Sequence, residues 1–428
     1  MAPAFATRTS TAKLGGVDKL STQCVIAGGG PAGLICGYLL ARAGVDVIVL
    51  EKHKDFLRDF RGDTIHPSTL ELIGELGLLE KFLARPHDEV REVTAEIGDK
   101  RFVAGDFTQL PSRCKFMVQM PQWEFLDFVA EEAKTLAGFH LFMEAEVVEL
   151  LARGSRIMGV RVKTPDNAGD ITANLVIGAD GRHSTVRAKA RLPVEDIGAP
   201  FDVLWMRLPA EEGDPHQPVA RITAGGLFIM LNRRDYWQCA MVIPKGGFDA
   251  VKAEGLDGFH KRLRASAGFA RDRVASIASF EDVKLLTVII DRLKRWSRPG
   301  LLCIGDAAHA MSPVGGVGIN LAIQDAVAAA NILAPILKVR IATPKELARV
   351  QRRREFPTRL TQWFQVQIQN RLLAPAMRAQ QTPKPPTVLR LLNRWRWLRR
   401  WPARFVGIGV RPEHVSPDIL KRGGSAPS

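Results

Sequence analysis

Three short segments rich in glycine and aspartate constrain the fold of this chain most strongly. In chain order they are Gly28-Gly29-Gly30-Pro31-Ala32-Gly33, then Asp180-Gly181-Arg182, then Gly305-Asp306 followed by Pro313 and Gly315-Gly316-Val317-Gly318-Ile319-Asn320. Each follows a run of apolar residues that predicts a buried strand. A lone G-x-G-x-x-G pattern is a weak signal, but the three together predict one nucleotide site built from distant stretches.

The first segment has the pattern of a dinucleotide-binding strand–turn–helix unit. Gly28 permits a tight turn, Gly30 lets a pyrophosphate approach the backbone, and Gly33 allows the helix to pack closely on the strand. The free N–H groups at the start of the helix, from Ala32 onward, suit phosphate. This segment therefore predicts binding of a dinucleotide, with a glycine-rich turn of any α/β protein as the alternative.

An acid closes the second predicted strand, residues 45–50. Glu51 follows Gly30 by 21 positions, where a carboxylate hydrogen-bonds a ribose hydroxyl, and Lys52 is its neighbour. An acid there disfavours a ribose 2′-phosphate, so the pattern favours FAD or NAD over NADP.

The second and third segments each place an aspartate beside glycine at a strand end. Asp180 and Asp306 could each be a helix cap if read singly. Read with the first segment, they are better explained as carboxylates near sugar or ribityl hydroxyls, with Gly181 leaving the approach open. The glycines of residues 315–318 would bring N–H groups and a positive helix end to the pyrimidine end of a flavin, stabilising its anionic reduced form.

The length of 428 residues predicts more than one domain, because single cores stop growing at roughly 250–300 residues. The expected fold is α/β (α+β): a Rossmann-like FAD-binding domain, an antiparallel-sheet substrate domain, and a helical, basic C-terminal region. The predicted divisions are a disordered leader (1–20), a discontinuous FAD-binding domain (21–81, 117–192 and 284–338), a substrate domain (82–116 and 193–283) and the C-terminal region (339–428).

Other local patterns predict single elements. Ser68-x-x-Glu71 reads as a capping box that opens a helix. Residues 122–136 and 320–337 predict helices, residues 201–242 a strand-rich antiparallel sheet, and residues 285–290 a buried strand.

The net charge of +15 is concentrated late in the chain. Residues 338–411 hold 18 Lys and Arg against two acids, so the remainder is nearly neutral. Residues 388–401, read as one helix, interleave arginines with Trp395, Trp397 and Trp401, which suits peripheral contact with an anionic membrane through residues 388–411. Packing on the protein's own body is the alternative, and nucleic acid is not expected.

The cysteines and the N-terminal residues indicate the cellular compartment in which the protein is expected. Five scattered cysteines without a C-x-x-C pattern suit a reduced cytoplasmic protein. Residues 1–16 lack the apolar block of a secretory signal, which favours a disordered leader, with a transit peptide as the alternative.

These motifs resemble the group A FAD-dependent monooxygenases, the para-hydroxybenzoate hydroxylase family, over residues 22–337. The resemblance implies a tightly held FAD, transient use of NADH or NADPH without a second Rossmann fold, and an Asp180 segment that serves both nucleotides. It implies hydroxylation of an aromatic, lipophilic or similarly electron-rich small molecule by molecular oxygen through a flavin C4a-hydroperoxide; epoxidation and Baeyer–Villiger insertion fit the same cofactor site.

The same matching extends to three further residues. Arg61 resembles the arginine near the pyrophosphate, Gln122 the residue at the ribityl–phosphate region, and Val147 a lining residue of the adenine pocket. A solvated surface charge is the alternative for Arg61.

The sequence offers no metal-ligand spacing and two candidates for a catalytic side chain. Tyr236 and His66 could accept a phenol proton, and ordinary packing is the alternative for each. A reductase or dehydrogenase of the same fold and a non-enzymatic adaptor built on the basic region stay open. A halogenase is disfavoured, because the W-x-W-x-I-P pattern is missing around Trp237.

Overall fold

The computed structural model describes residues 19–57, 64–98, 100–215, 217–224, 226–379 and 381–421. In that part of the chain the strands are β1 Lys19–Ala27, β2 Val47–Leu50, β3 Thr64–Ile65, β4 Asp88–Val90, β5 Glu92–Ile97, β6 Lys100–Asp106, β7 Met117–Gln119, β8 Phe139–Phe142, β9 Glu146–Arg153, β10 Arg156–Lys163, β11 Ala168–Gly178, β12 Val194–Asp196, β13 Phe201–Pro209, β14 Val219–Thr223, β15 Gly226–Asn232, β16 Tyr236–Pro244, β17 Lys284–Leu286, β18 Asp291–Leu293, β19 Ser297–Arg298 and β20 Leu301–Cys303.

The α-helices of the same residues are α1 Pro31–Arg42, α2 Pro67–Glu75, α3 Leu79–Leu83, α4 Gln122–Lys134, α5 Thr185–Lys189, α6 Phe248–Ala253, α7 Gly255–Ser266, α8 Gly318–Leu337, α9 Pro344–Ile368, α10 Ala374–Arg378, α11 Thr387–Arg394, α12 Arg400–Gly407 and α13 Pro417–Leu420. A π-helical turn, Gln369–Leu373, joins α9 to α10.

A parallel sheet positions the three glycine segments. Its central strands run in the order β20-β11-β1-β2-β8, all parallel, and β9 and β10 extend it as an antiparallel hairpin on β11. Because the carboxyl ends of parallel strands lie at one edge, the turns after β1, β11 and β20 meet there. Helices α1 and α8 cover the sheet with apolar faces.

A second, largely antiparallel sheet has the order β17-β13-β16-β15-β14-β5-β6. Side chains alternate across it: Leu204 and Cys239 pack under α6 and α7, while Val203 and Val242 face the other way. The expected α/β (α+β) fold, with a Rossmann-like parallel sheet and a separate antiparallel sheet, is confirmed.

The main core does not stop at residue 338. Leu347, Val350, Val415 and Ile419 belong to the same buried cluster as the parallel sheet. The predicted division at residue 338 therefore cuts through a continuous core, although the domain boundaries as a set stay a prediction.

Three local predictions are wrong. Helix α2 begins at Pro67 after His66, and no side chain in the described part of the chain caps it, so Ser68-x-x-Glu71 is not a capping box. The predicted strand 285–290 shortens to β17, where Leu285 is exposed. Residues 388–401 do not form one helix, because Arg399 donates to the carbonyl oxygens of residues 392 and 393 and the chain turns at Trp395.

One stretch, Val314–Leu337, is long and apolar enough to span a bilayer among the described residues. However, 72% of its apolar window is buried inside the protein, as befits the core helix α8.

Candidate active site

The first glycine turn fits tightly against the second motif. Gly28 has φ +103°, and a Cβ built on it would lie 2.4 Å from the carbonyl oxygen of Ala179, just before Asp180. A Cβ on Gly33 would lie 1.9 Å from the Gly28 carbonyl oxygen. By contrast, a Cβ on Gly30 would meet no atom of the described residues within 4 Å. The turn is thus closed where the chain packs and open at the start of α1, where a phosphate would approach.

Glu51 ties the end of β2 to this turn. Its Oε2 accepts from the Gly29 N–H at 3.0 Å, and its Oε1 accepts from the His53 N–H at 3.1 Å. The side chain is largely buried, whereas the neighbouring Lys52 is exposed. The carboxylate therefore holds the glycine turn in place, and its predicted bond to a ribose stays a prediction.

Asp180 is engaged within its own turn. Its carboxylate accepts hydrogen bonds from the Ser184 hydroxyl and, at 3.0 Å, from the Val186 N–H, at the start of α5. Burial raises the pKa of Asp180 above its ordinary value, against the effect of these hydrogen bonds. Gly181, with φ +83°, leaves open space in front of it. The Asp180 carboxylate thus supports the start of α5, whose N-cap is Ser184, and its predicted contact with a sugar hydroxyl stays a prediction. Gly181 keeps the approach clear.

The third motif joins the other two. Gly305 has φ +58°, and a Cβ on it would lie 3.1 Å from the Cβ atoms of both Ala32 and Ala322. Nη2 of Arg182 lies 3.7 Å from Oδ2 of Asp306. The three segments, distant in sequence, thus meet at one edge of the parallel sheet.

A buried cluster of charges supports the third motif from behind. Oδ2 of Asp325 accepts from the Gly305 N–H at 3.1 Å and lies 2.6 Å from Nε2 of His309, and Oδ1 accepts from Nε of Arg354 at 3.0 Å. Burial pushes the pKa of Asp325 up, but His309 and Arg354 outweigh it and hold the pKa below its ordinary value. Asp325 therefore stays ionised and fixes the Gly305 turn.

The glycine loop before α8 is held by its neighbours. Gly315 and Gly316 have φ +80° and +62°, and Pro313 precedes them on the surface. The Thr64 hydroxyl donates to the Gly316 carbonyl oxygen at 3.3 Å. Gly318 and the partly buried Ile319 open α8.

Asn320 acts as a clamp between this loop and β3. Its Oδ1 accepts from the His66 N–H and the Thr69 hydroxyl, each at 2.8 Å, and its Nδ2 donates to the Thr64 carbonyl oxygen at 3.0 Å. Both the oxygen and the nitrogen of its side-chain amide are thus occupied by hydrogen bonds within the protein.

His66 is fully buried beside the same loop. Its Nδ1 lies 2.8 Å from the Val406 carbonyl oxygen, which fixes the proton on Nδ1. Its Nε2 has no hydrogen-bond partner among the described residues and lies 3.7 Å from a Cβ built on Gly316. Burial lowers the pKa of His66 to about 4, so the ring is a neutral acceptor aimed at the loop.

The other predicted residues belong to different elements. Tyr236 stacks under the Arg207 guanidinium, 4.7 Å from ring centroid to Cζ, and is six residues, about 20 Å, along β16 from Val242. Gln122 begins α4 and Val147 is buried in the main core on β9. Arg61 lies outside the described residues.

Sequence reasoning missed a row of buried glutamines on α9 and its π-helical extension. Gln362, Gln365 and Gln369 are at most 2% exposed and recur at helical spacing. That spacing was the available signal, but an arginine-rich stretch gave no reason to read it as part of the site.

Comparison with known families decides the class. The model of the family described as FAD binding domain matches residues 21–363. The chain belongs to this family. A 6-methylpretetramide 4-monooxygenase from Streptomyces rimosus is 32% identical over 96% of this chain and 97% of its own. A rifampicin monooxygenase from Streptomyces venezuelae is 29% identical over 71% of this flavoprotein and 62% of its own length.

Among solved structures, Pseudomonas aeruginosa PqsL in complex with 2-aminobenzoylacetate superposes with a TM-score of 0.70 at 22% identity, over 84% of this chain and 98% of that one. That likeness shows the fold. With the family and the two monooxygenase relatives, the flavoprotein is a group A FAD-dependent monooxygenase.

Proposed function

We propose that this monooxygenase hydroxylates an aromatic or similarly electron-rich, lipophilic small molecule, with NADH or NADPH as transient reductant and molecular oxygen as co-substrate. The observation that carries the proposal is an apolar face beside the glycine loop. Val203, Ala240 and Val242 of the antiparallel sheet cluster with Val314 of the loop and Leu373. A flat ring would bury its faces there against apolar side chains. The relative that is a 6-methylpretetramide 4-monooxygenase supports this choice.

FAD, when bound, supplies electron transfer from the nicotinamide and activation of oxygen. The residues present fit it, because Gly30 and Gly181 are open while the turns around them are closed. The residues that would hold it are Gly28, Gly30, Ala32 and Gly33 at the pyrophosphate, Glu51 and Lys52 at the ribose, Val147 at the adenine, Asp180, Gly181, Asp306 and Gln122 along the ribityl chain, and Pro313, Gly318, Ile319 and Asn320 at the flavin ring.

Of the two catalytic candidates, we favour His66 over Tyr236. Its unpaired Nε2 beside Gly316 can accept a hydrogen bond from a hydroxyl brought to the loop, while Nδ1 keeps its proton on the Val406 carbonyl oxygen. Tyr236 is separated from the loop along the strand.

The test is oxygen chemistry on purified yellow holoenzyme. We expect aromatic compounds to accelerate NADH or NADPH oxidation and to appear hydroxylated, with one oxygen atom from isotopically labelled dioxygen. Reduction of a substrate without oxygen uptake would contradict the proposal and favour the reductase alternative. Gly28→Ala, which should not hold FAD, is the control for flavin dependence.

A second proposal concerns the basic segment of residues 388–411, which we assign to the cytoplasmic face of a membrane. Trp395, Trp397 and Trp401 are 46%, 57% and 57% exposed and lie among exposed arginines. Tryptophan with arginine suits the headgroup layer of an anionic bilayer. The segment is anchored to the substrate sheet, where Ala403 packs on Gly105.

Sedimentation with vesicles tests it. We expect binding to phosphatidylglycerol-containing vesicles that is lost in the double variant Trp397→Ser/Trp401→Ser and kept in Trp363→Ser, which removes a Trp exposed to 58% on α9. Equal binding by all three proteins would contradict the assignment.

A further inference from the structure

A row of glutamines on α9 contacts the segment that leads into the glycine loop. The side-chain amides of Gln362 and Gln365 each donate two hydrogen bonds to backbone carbonyl oxygens, at 2.8–3.1 Å. The acceptors include Ser312 and Val314. This face of α9 therefore borders the site directly.

Gln369 continues that face of the helix, but among the described residues its side-chain amide does not hydrogen-bond to the backbone as those of Gln362 and Gln365 do. It is 0% exposed, and within the described ranges neither its Nε2 nor its Oε1 has a hydrogen-bond partner. Buried amides without partners are rare in native proteins, because each polar group loses its water without compensation. The residue therefore requires a reason to be polar.

The surroundings of Gln369 give that reason. It lies between Gln365, which holds the Val314 carbonyl oxygen, and Leu373, which packs with Val203 and Val242 of the antiparallel sheet. It is also the first residue of the π-helical turn, and such turns are frequent at functional sites. Helical spacing thus puts Gln369 on the same side of the helix as Gln365 and Leu373, the side that meets the apolar face proposed to receive the ring.

We propose that the Gln369 amide sets substrate specificity by pairing with a polar edge in which a hydrogen-bond donor and acceptor are adjacent. A ring hydroxyl next to a carboxamide or ketone has that edge, and it would satisfy both Nε2 and Oε1 while the ring contacts the apolar side chains. This inference rests on the proposed aromatic hydroxylation and names the substrate class for it.

Binding to the holoenzyme tests the inference. The probes are 1-hydroxy-2-naphthamide, which has the paired edge, and 1-methoxynaphthalene, which does not; binding is followed by the visible flavin absorbance. We expect the naphthamide to bind at least about tenfold more tightly to the wild type, and Gln369→Leu to reduce that preference to about twofold. Asn370→Ala, in the same turn but exposed, is the matched control and should keep it.

Thermal unfolding without ligand separates recognition from support of the fold. Replacing an unpaired buried amide by Leu should leave the melting temperature unchanged or raise it, whereas removal of a structural amide would lower it. A wild type without preference, a preference unchanged in Gln369→Leu, or a lowered melting temperature in that variant would each overturn the inference. Aromatic-stimulated oxygen uptake is measured alongside, and its absence would instead overturn the proposed function on which the inference rests.

Discussion

Nη2 of Arg182 lies 3.7 Å from Oδ2 of Asp306, and this pair joins the second and third motifs at the edge of the parallel sheet. Both side chains are partly exposed, so the ion pair adds little to the stability of the fold. Its place beside the glycine turns gives the arginine a different effect, since it offsets an acid where an anionic nucleotide would bind.

Replacing this arginine should therefore weaken cofactor binding more than folding. We expect Arg182→Ala to lower the affinity for FAD about five- to tenfold, roughly 1–1.4 kcal/mol, and the free energy of unfolding by less than about 1 kcal/mol. Titration of the apoprotein with FAD measures the first effect. Arg161→Ala, which breaks a surface pair with Asp170, is the control and should keep full affinity.

The Gly28 turn should tolerate no side chain. Its positive φ and the Ala179 carbonyl oxygen, 2.4 Å from a built Cβ, both oppose Gly28→Ala, and we expect at least tenfold less FAD in the purified protein. Gly154→Ala also has a positive φ but open space, so it should cost about 1 kcal/mol of stability and retain FAD. Full flavin content in Gly28→Ala would contradict the assignment of the turn.

The buried neutral imidazole of His66 should make stability depend on pH. Its pKa is lowered to about 4, so between pH 6.5 and 4 the unfolded chain binds a proton that the folded protein does not. The stability it confers is complete above pH 6.5 and is lost as pH falls, by about 2–3 kcal/mol at pH 4.5. Urea unfolding of wild type and His66→Gln should show their difference shrinking by that amount. Parallel pH profiles of stability for wild type and His66→Gln would contradict this prediction. His183→Gln, at an exposed histidine, is the control, and its profile should parallel that of the wild type.

Asp325 should be among the most sensitive acids in the chain. The buried Arg354 pairs with two carboxylates, those of Asp325 and Glu413, and Asp325→Asn removes the charge of the first. We expect a loss of about 3–5 kcal/mol in the free energy of unfolding. Asp170→Asn, at an exposed pair, should cost less than about 1 kcal/mol. Similar melting temperatures for the two variants would refute a supporting role for Asp325.

The sequence predicted the parts of the site that depend on local conformation. A tight turn, a strand end and a helix start have signatures in adjacent residues, so Gly28, Gly305 and the parallel strands could be placed from the order of residues alone. Partners brought together by tertiary packing have no such signature. The carbonyl oxygen of Val406 on His66, the ion pairs of Asp325 and the glutamines of α9 belong to that class. For the same reason the helix expected over residues 388–401 is interrupted, because Arg399 competes for its last carbonyl oxygens.

Residues 411–420 contact the domain built on the parallel sheet, and these contacts affect when that domain can fold during synthesis. Val415 and Ile419 complete the core around the parallel sheet, Glu413 pairs with Arg354, and the Leu420 carbonyl oxygen receives Arg42 of α1. A nascent chain cannot close that core until these residues have left the ribosome, however early its glycine turns emerge. Until then the nucleotide domain keeps apolar surface uncovered, and such surface is prone to aggregate.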